Sequence, residues 1–557
     1  MNKSLLLGSA AVFMAILPAE AANPIVANPI ELNYQFQPYN PNDGHRREAA
    51  DPVCEYFNGK YYLFASKSSG YWSSPDLAEW TYIPALSIPT INDYAPTILI
   101  LDGEIYFTAS TGNTRIFKTA TPDDGTSWQE VACKFKLPQH DPSFFLDDDG
   151  RLYLYWGCHD KDPIVGVELD LKDDFAPIGE PKEMIGHHID LYGWEVPGAN
   201  NDETNHNGYN EGPAMIKYNG KYYLQYAAPG TQWRSYGDGV YVSDSPLGPY
   251  TYMPDNPFSH KPGGFMGGAG HGHTFKDKYG NYWHVATMCV CQRHWFERRL
   301  GLFPVTVDDK GMHAYTLWSD YPFEIPDRKV NFSETALTKG WRQLAIGAKA
   351  TASSERPDHP AALAADETVE TWWSAASGRP DEWLALDFGR PQTVRAVQVN
   401  FADNNSEYDL GATPKPYRYV IETSDDGRTW TAVINRADNS ADLPHDLIVL
   451  DRPVKARHIR IKNMATVGSG DFSLYDLRVF GEKLKEKEIK GASIKRDDTD
   501  RRIYYVSFEP VEGAQGYVLY WGIDPDNLTH SIMLRDTDNT LRCFDRDAEY
   551  SFKLTSF

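Results

Sequence analysis

Cysteine is scarce: six thiols (Cys54, Cys133, Cys158, Cys289, Cys291 and Cys543) are scattered through 557 residues. Their spacing excludes a small disulfide-stapled scaffold. Cys289 and Cys291 stand two apart on one predicted strand, yet no second ligand pair matches them, so buried structural thiols are expected rather than zinc. Positive charge is also short. Lys and Arg number 54 against 77 Asp and Glu, a formal net charge of −23, which argues against nucleic acid or an anionic membrane as a partner. Long apolar runs are missing past the N-terminus, so no bilayer-spanning helix is expected. The one apolar stretch, in MNKSLLLGSAAVFMAILPAEA, follows Lys3, runs from Leu5 to Leu17 and ends in a small-x-small site at Ala21. That pattern predicts a signal peptide over residues 1–22 and a periplasmic or secreted protein.

Aromatics are plentiful, at 13% with 15 Trp and 34 Tyr, as in β-rich proteins and surfaces that stack on sugar rings. One phrase recurs five times: DPVCEYFNGKYYLFAS from Asp51, APTILILDGEIYFTAS from Ala95, DPSFFLDDDGRLYLYWG from Asp141, EGPAMIKYNGKYYLQYAA from Glu211 and HGHTFKDKYGNYWHVAT from His271. Each copy is two β-type runs joined by a glycine turn, which predicts a hairpin. The turn glycines, Gly59, Gly103, Gly150, Gly220 and Gly280, are separated by 44, 47, 70 and 60 residues. That is the period of a four-stranded propeller blade with longer loops in the later copies. The expected fold is therefore all-β, a five-bladed β-propeller over roughly residues 45–325.

Counted back from the turn glycines, Asp51 and Ala95 fall at minus eight, and Asp141, Glu211 and His271 at minus nine. Repeat-equivalent positions at the start of inner strands face one axis, so three carboxylates and an imidazole are expected to converge. Two opposed carboxylates are what glycosidic cleavage requires, one protonating the leaving oxygen and the other activating water or attacking. A third can raise the pKa of the acid as a like charge. The insertion HHIDLYGWEVPGANNDETNHNGYN before Glu211 is expected as a loop over that site.

The motifs Ala50-Asp51-Pro52, Tyr94-Ala95-Pro96-Thr97-Ile98, His140 to Phe145, Asn210 to Pro213 and Gly270 to Gly272 together resemble glycoside hydrolase family 43. The resemblance implies a five-bladed propeller that inverts anomeric configuration, with Asp51 as general base, Glu211 as general acid, and Asp141 orienting the acid and tuning its pKa. Thr97 stands where the family often has Asp. His271 matches the family's central histidine, near which a calcium or a water cluster often lies, so His271 is expected to line the site and is the candidate ligand of a structural calcium. No other cofactor is implied. Arg298 matches an arginine that often reaches the sugar, with an ion pair to Glu297 as the alternative; Arg299 should point the other way along its strand. Tyr71, Trp72, Tyr94, Phe144, Trp194 and Tyr209 are candidate stacking residues, of which Tyr94 and Phe144 adjoin motifs.

Residues 341–482 resemble the discoidin-like (coagulation factor type C) family, an all-β sandwich to which many carbohydrate-binding modules belong, through Asp366 to Ser374, Asp387-Phe388-Gly389, Ser424 to Gly427 with Trp430, Arg457 to Arg460 and Tyr475 to Gly481. Trp372 and Trp373 are expected in its core. A charged linker over 483–492 leads to residues 493–557, which resemble a partial fibronectin type III module lacking a last strand. The boundaries expected are thus 1–22, 23–340, 341–482, 483–492 and 493–557. The function expected is an exo-glycosidase releasing terminal α-L-arabinofuranosyl or β-xylosyl groups from plant-type polysaccharide, the discoidin-like domain tethering it to polymer. A galactose-releasing enzyme, a configuration-retaining propeller family and a non-catalytic sugar-binding propeller are the rivals. Intact Asp51, Asp141 and Glu211 argue against the last, because converging like charges cost stability that a binder need not spend.

Overall fold

A computed structural model describes residues 23–38, 45–136, 139–406 and 416–557. The expected signal peptide lies outside these residues. Strands dominate. The helical segments among the described residues are 3-10 turns at Gly193–Glu195, Leu317–Asp320 and Ala361–Ala364, and no helix is long and apolar enough to cross a membrane.

Five four-stranded antiparallel sheets follow one another along the chain, sheet four carrying one extra short strand. Their first strands are Val53–Phe57, Thr97–Leu101, Ser143–Leu146, Glu211–Tyr218 and Gly267–Lys276. Each turns into its second strand at one of the five glycines, all with positive φ, from 77° at Gly220 to 92° at Gly59. Asn58, Asp102 and Asn219 precede three of them, also with positive φ, the pairing that a tight hairpin turn requires. The first strand of each sheet lies against that of the next, and the first strand of sheet five closes on that of sheet one. The lead-in is built into this ring. The Asn28 amide bonds both backbone groups of Leu302 in sheet five, Nδ2 donating at 3.0 Å and Oδ1 accepting at 2.9 Å, and Ile30, Leu32 and Tyr34 are buried beside it.

Residues 341–483 form an antiparallel β-structure around two long strands, Trp383–Phe401 and His445–Ala465, whose register breaks near Asp387 and Val394. Trp373 is buried in its core, as expected. Trp372 is half-buried, stacked on His359 at 4.3 Å with the Arg293 guanidinium 5.1 Å from its ring. Residues 487–556 place seven strands in sheets of four and three. Ser551–Ser556, within the stretch that resembles the module, pairs with Tyr517–Gly522 on one side and Lys487–Glu488 on the other.

The segments are not strung on free linkers. Arg47, in the lead-in, is buried between Asp403 (2.9 Å) and Asp442 (2.6 Å) of the discoidin-like segment. Arg299 of sheet five donates to His445 Nε2 at 3.0 Å. Arg293 donates to Glu297 at 2.6 Å, to the Tyr475 hydroxyl at 2.9 Å and to the Ala402 carbonyl. Burying cations in this way is tolerated only with nearly complete pairing. The insertion before Glu211 likewise packs outward: Tyr192 stacks on Tyr252 at 3.7 Å, and Gly193 N donates to Phe544 O at 2.9 Å.

Candidate active site

One backbone device positions the site. Two residues before the regular pairing of each first strand, the chain enters the left-handed region: Asp51 (φ 51°), Ala95 (48°), Asp141 (53°), Gly212 (59°) and His271 (42°). For residues with a Cβ this costs roughly 1–2 kcal/mol each, and such strain persists only where surrounding contacts fix it. Those contacts run from sheet to sheet. Ala95 N donates to Ser66 Oγ at 2.7 Å, Asp141 N to Ser110 Oγ at 2.9 Å, His271 N to Asp238 Oδ1 at 2.7 Å, and Asp51 N to Thr287 Oγ1 at 2.8 Å, closing the ring. In sheet three the position across from Asp141 is Gly157, which has no hydroxyl, and there Gly212 N donates instead to Asp141 Oδ2 at 3.3 Å.

This corrects the repeat alignment. The equivalent of Asp51, Asp141 and His271 in sheet four is Gly212, and Glu211 stands one residue earlier, within a bulge in the strand pairing. Glycine is required at 212, because a Cβ would come within 2.6 Å of the His271 ring.

The four residues still converge. His271 Nδ1 is 3.4 Å from Asp51 Oδ1 and 3.7 Å from Asp141 Oδ2. Atoms of Asp141, Cys158 and Glu211 lie within 4.8 Å of one another. Burial pushes the Asp51 carboxyl up, but Arg298, His271 and the Ser66 hydroxyl, which donates to Oδ2 at 2.6 Å, together hold it below the ordinary range. Burial raises Asp141 to about 7 against the pull of His271, with smaller repulsion from Glu211 and Asp51 added, and burial likewise raises Glu211 against His271 and the Tyr236 hydroxyl. Burial alone would lower His271, but Asp51, Asp141 and Glu211 leave it raised, an imidazolium facing carboxylates. Asp51 is thus ionised, while the Asp141–Glu211 pair retains a proton near neutrality.

Arg298 is buried and does not pair with Glu297. It donates from Nη2 to Glu48 at 2.9 Å and from Nη1 to Asp51 at 3.3 Å and Thr231 Oγ1 at 3.2 Å. Its planar fork is committed to Asp51 and Glu48. Glu297 belongs to Arg293 and Tyr475, and Arg299 does point to the other side of the strand. The Tyr94 ring meets Phe296 edge-on at 5.6 Å and has Lys67 Nζ 3.9 Å from its centre, and Phe296 lies 4.6 Å from the Arg298 guanidinium. Phe144 does not line the site. Strand alternation turns it into the layer between sheets two and three, among Leu99, Tyr106, Leu152 and Leu154, while Thr97 Oγ1 accepts its backbone N–H at 3.1 Å. Tyr71, Trp72 and Trp194 are likewise core.

The donor set around His271 is poor for the expected calcium, which takes six to eight oxygens. Two carboxylates and one ring nitrogen meet there, and the nitrogen already sits at ion-pair distance from both acids. A calcium would be held mainly through water.

Sequence reasoning missed Ser66, Glu48, Tyr236 and Cys158. Tyr236 donates its hydroxyl to Glu211 Oε1; Cys158 Sγ is 3.4 Å from Glu211 Oε2 and 3.4 Å from the Tyr209 hydroxyl. Ser66, Ser110 and Thr287 each stand seven residues after a turn glycine, the signal that would have found the ring of hydroxyls.

The arrangement agrees with comparison to known proteins. Residues 45–313 match the model described as Glycosyl hydrolases family 43. This is a family 43 domain. Residues 349–477 match the F5/8 type C domain. The family 43 region is similar to a beta-D-galactofuranosidase of Aspergillus niger, 26% identical over 239 residues, covering 37% of this chain and 64% of that one. It is similar to an arabinoxylan arabinofuranohydrolase of Paenibacillus polymyxa, 32% identical over 152 residues, 26% of this chain and 22% of that one. A xylan 1,3-beta-xylosidase of a Vibrio species is 27% identical over 274 residues, 46% of this chain and 45% of that one. The chain thus spans between 22% and 64% of the length of these relatives.

Proposed function

We propose that this protein is an inverting exo-glycosidase that removes terminal α-L-arabinofuranosyl or β-xylosyl groups from plant-type polysaccharide. The observation that carries the reading is the split in protonation: Asp51 held ionised by Arg298, His271 and Ser66, and the Asp141–Glu211 pair kept partly protonated by burial. Two carboxyl groups pushed apart in this way are a base and an acid. Glu211 gives its proton to the glycosidic oxygen as the bond to the anomeric carbon breaks. Asp51 takes a proton from the water whose oxygen bonds that carbon from the opposite face. Asp141 holds the Gly212 amide beside the acid and raises its pKa. His271 supplies positive charge between the acids, so no metal is needed for the chemistry.

The fold supports this reading. We infer that the closed ring of five sheets is a five-bladed β-propeller within residues 23–340, that 341–482 is a discoidin-like domain contacting carbohydrate, and that the six strands after the 483–492 linker, joined by Lys487–Glu488 within it, are a fibronectin type III-like module. From the apolar N-terminal segment we infer a periplasmic or secreted enzyme. The arabinofuranohydrolase and xylosidase relatives favour a pentose; the galactofuranosidase relative makes a galactose-type furanoside the second reading.

The test is turnover of a panel of aryl arabinofuranosides, xylosides and galactosides, with and without EDTA, for the native chain, Asp51→Asn and Glu211→Gln. Each variant is expected to lose roughly 10²–10⁴-fold in kcat, EDTA to change nothing, and the first-formed sugar to appear by NMR as the inverted anomer. Near-native turnover in either variant, or a retained anomer, would refute the roles given.

A further inference from the structure

Resting on the reading of Glu211 as the acid, a second question arises: which of its oxygens carries the proton, and what keeps it there. Oε1 accepts the Tyr236 hydroxyl proton. Tyr236 is itself buried, so Oε1 is firmly occupied as an acceptor. The transferable proton therefore belongs on Oε2. The neighbour of Oε2 is a weak donor, the Cys158 thiol, whose Sγ points its hydrogen bond at Oε2 from 3.4 Å and lowers the carboxyl's pKa least among the influences on it.

A thiol is a weak donor and a weak acceptor. A serine or threonine hydroxyl in its place would donate strongly to the ionised carboxylate and stabilise it, making Glu211 a poorer acid near neutrality. The thiol donates too, but only weakly from 3.4 Å, so it competes little with a proton on Oε2. Cys158 is backed by Tyr209, whose hydroxyl is 3.4 Å from the same sulfur, and it follows Gly157, the position where sheets one, two and five carry Ser66, Ser110 and Thr287. The hydroxyl that serves the ring elsewhere is thus absent beside the acid. A thiol stands one residue on. Burial, with Asp141 and Glu211 close by, keeps that thiol far from ionising, so it adds no charge to the site.

We propose that Cys158 is a positioning residue for catalysis: as a weak donor where a hydroxyl would be a strong one, it leaves Oε2 as the proton-bearing oxygen of Glu211 and lets that carboxyl act as an acid near neutral pH. It touches no reacting atom itself.

The experiment compares Cys158→Ser and Cys158→Ala with the native chain on two aryl glycosides of whichever sugar the panel selects, one with a dinitrophenyl leaving group that departs without protonation and one with an unactivated phenyl group. Activity that depends on protonated Glu211 is lost as pH rises through its pKa, so lowering that pKa moves the alkaline limb of kcat/KM to lower pH. Cys158→Ser is expected to move the limb down by about one unit and to lower kcat on the phenyl glycoside at pH 7 several-fold while sparing the dinitrophenyl one. Cys158→Ala, which donates nothing, is expected to keep the limb near its native position. A native pH profile in Cys158→Ser, or equal losses on both leaving groups, would overturn the proposal. Glu211→Gln run beside them separates the two readings. If it cleaves the phenyl glycoside normally, the acid assignment fails; if it does not and the serine profile is unmoved, only the role of Cys158 fails.

Discussion

Replacing Arg298 by Gln removes the cation that faces the proposed base. Its Nη1 lies 3.3 Å from Asp51 Oδ1 and its Nη2 2.9 Å from Glu48 Oε1. Burial pushes Asp51 up, and Arg298 is the largest influence holding it down. Loss of one adjacent opposite charge raises a carboxyl pKa by roughly 1–3 units, or about 1.4–4 kcal/mol. Asp51 must be ionised to work, so activity is lost as pH falls through its pKa, and a raised pKa brings that loss to higher pH. The acid limb of kcat/KM should therefore move up by about 1–3 units in Arg298→Gln, with tenfold less activity for each unit below the new pKa. Arg298→Lys keeps the charge and should keep most of the limb, although its single ammonium cannot reproduce the fork to Glu48 and Thr231. Profiles on a soluble aryl glycoside, with a thermal melt of each variant, decide the matter. An unmoved acid limb with a raised KM would show that Arg298 serves the sugar and would refute its role as the anchor of the base.

Two further outcomes follow from the packing. A chain ending at residue 340 loses the partners of Arg47, Arg293 and Arg299 and should lose roughly tenfold in kcat, about 1.4 kcal/mol, on small aryl glycosides as well as on polymer. Unchanged turnover of the small substrate would mean that the discoidin-like segment is only a tether. Gly212→Ala must adopt φ near 59° with its Cβ 2.6 Å from His271; a cost of at least about 1–2 kcal/mol and a fall in kcat are expected, and native kcat at native thermal stability would contradict the geometry.

Much of the framework was readable because glycine turns and period-two alternation are local signals. The five hairpins, their order and the convergence of Asp51, Asp141, Glu211 and His271 all follow from them. What failed to show depends on which side of a strand a residue faces, or on contacts far apart in sequence. Phe144 adjoins a motif but alternation buries it. Glu211 is displaced by a bulge that spacing does not reveal, and its alignment with Asp141 hid the glycine that holds the repeat position. Arg298 finds Glu48, which is 250 positions away, and no pattern announces that. The discoidin-like domain resembled an attached tether because its own core is complete, whereas its contacts with the ring of sheets, polar ones such as Arg47–Asp403 and Arg293–Tyr475 beside apolar ones such as Tyr321–Phe480, join residues that no local pattern marks.

Those ion pairs also bear on how the chain is made. Arg47, Arg293 and Arg299 are synthesised well before most of their partners, Asp403, Asp442, His445 and Tyr475. Until the later residues emerge, the finished ring of sheets presents Arg47 and Arg299 as hydrated cations, with Arg293 held by Glu297 alone, where its permanent interface will be. A charged patch of that kind resists sticking to other half-made chains in a way that an apolar one would not. The same charges surrender their water only when the correct carboxylates, hydroxyl and imidazole arrive to replace it, so assembly of the full-length protein carries its own check on the order and identity of its parts.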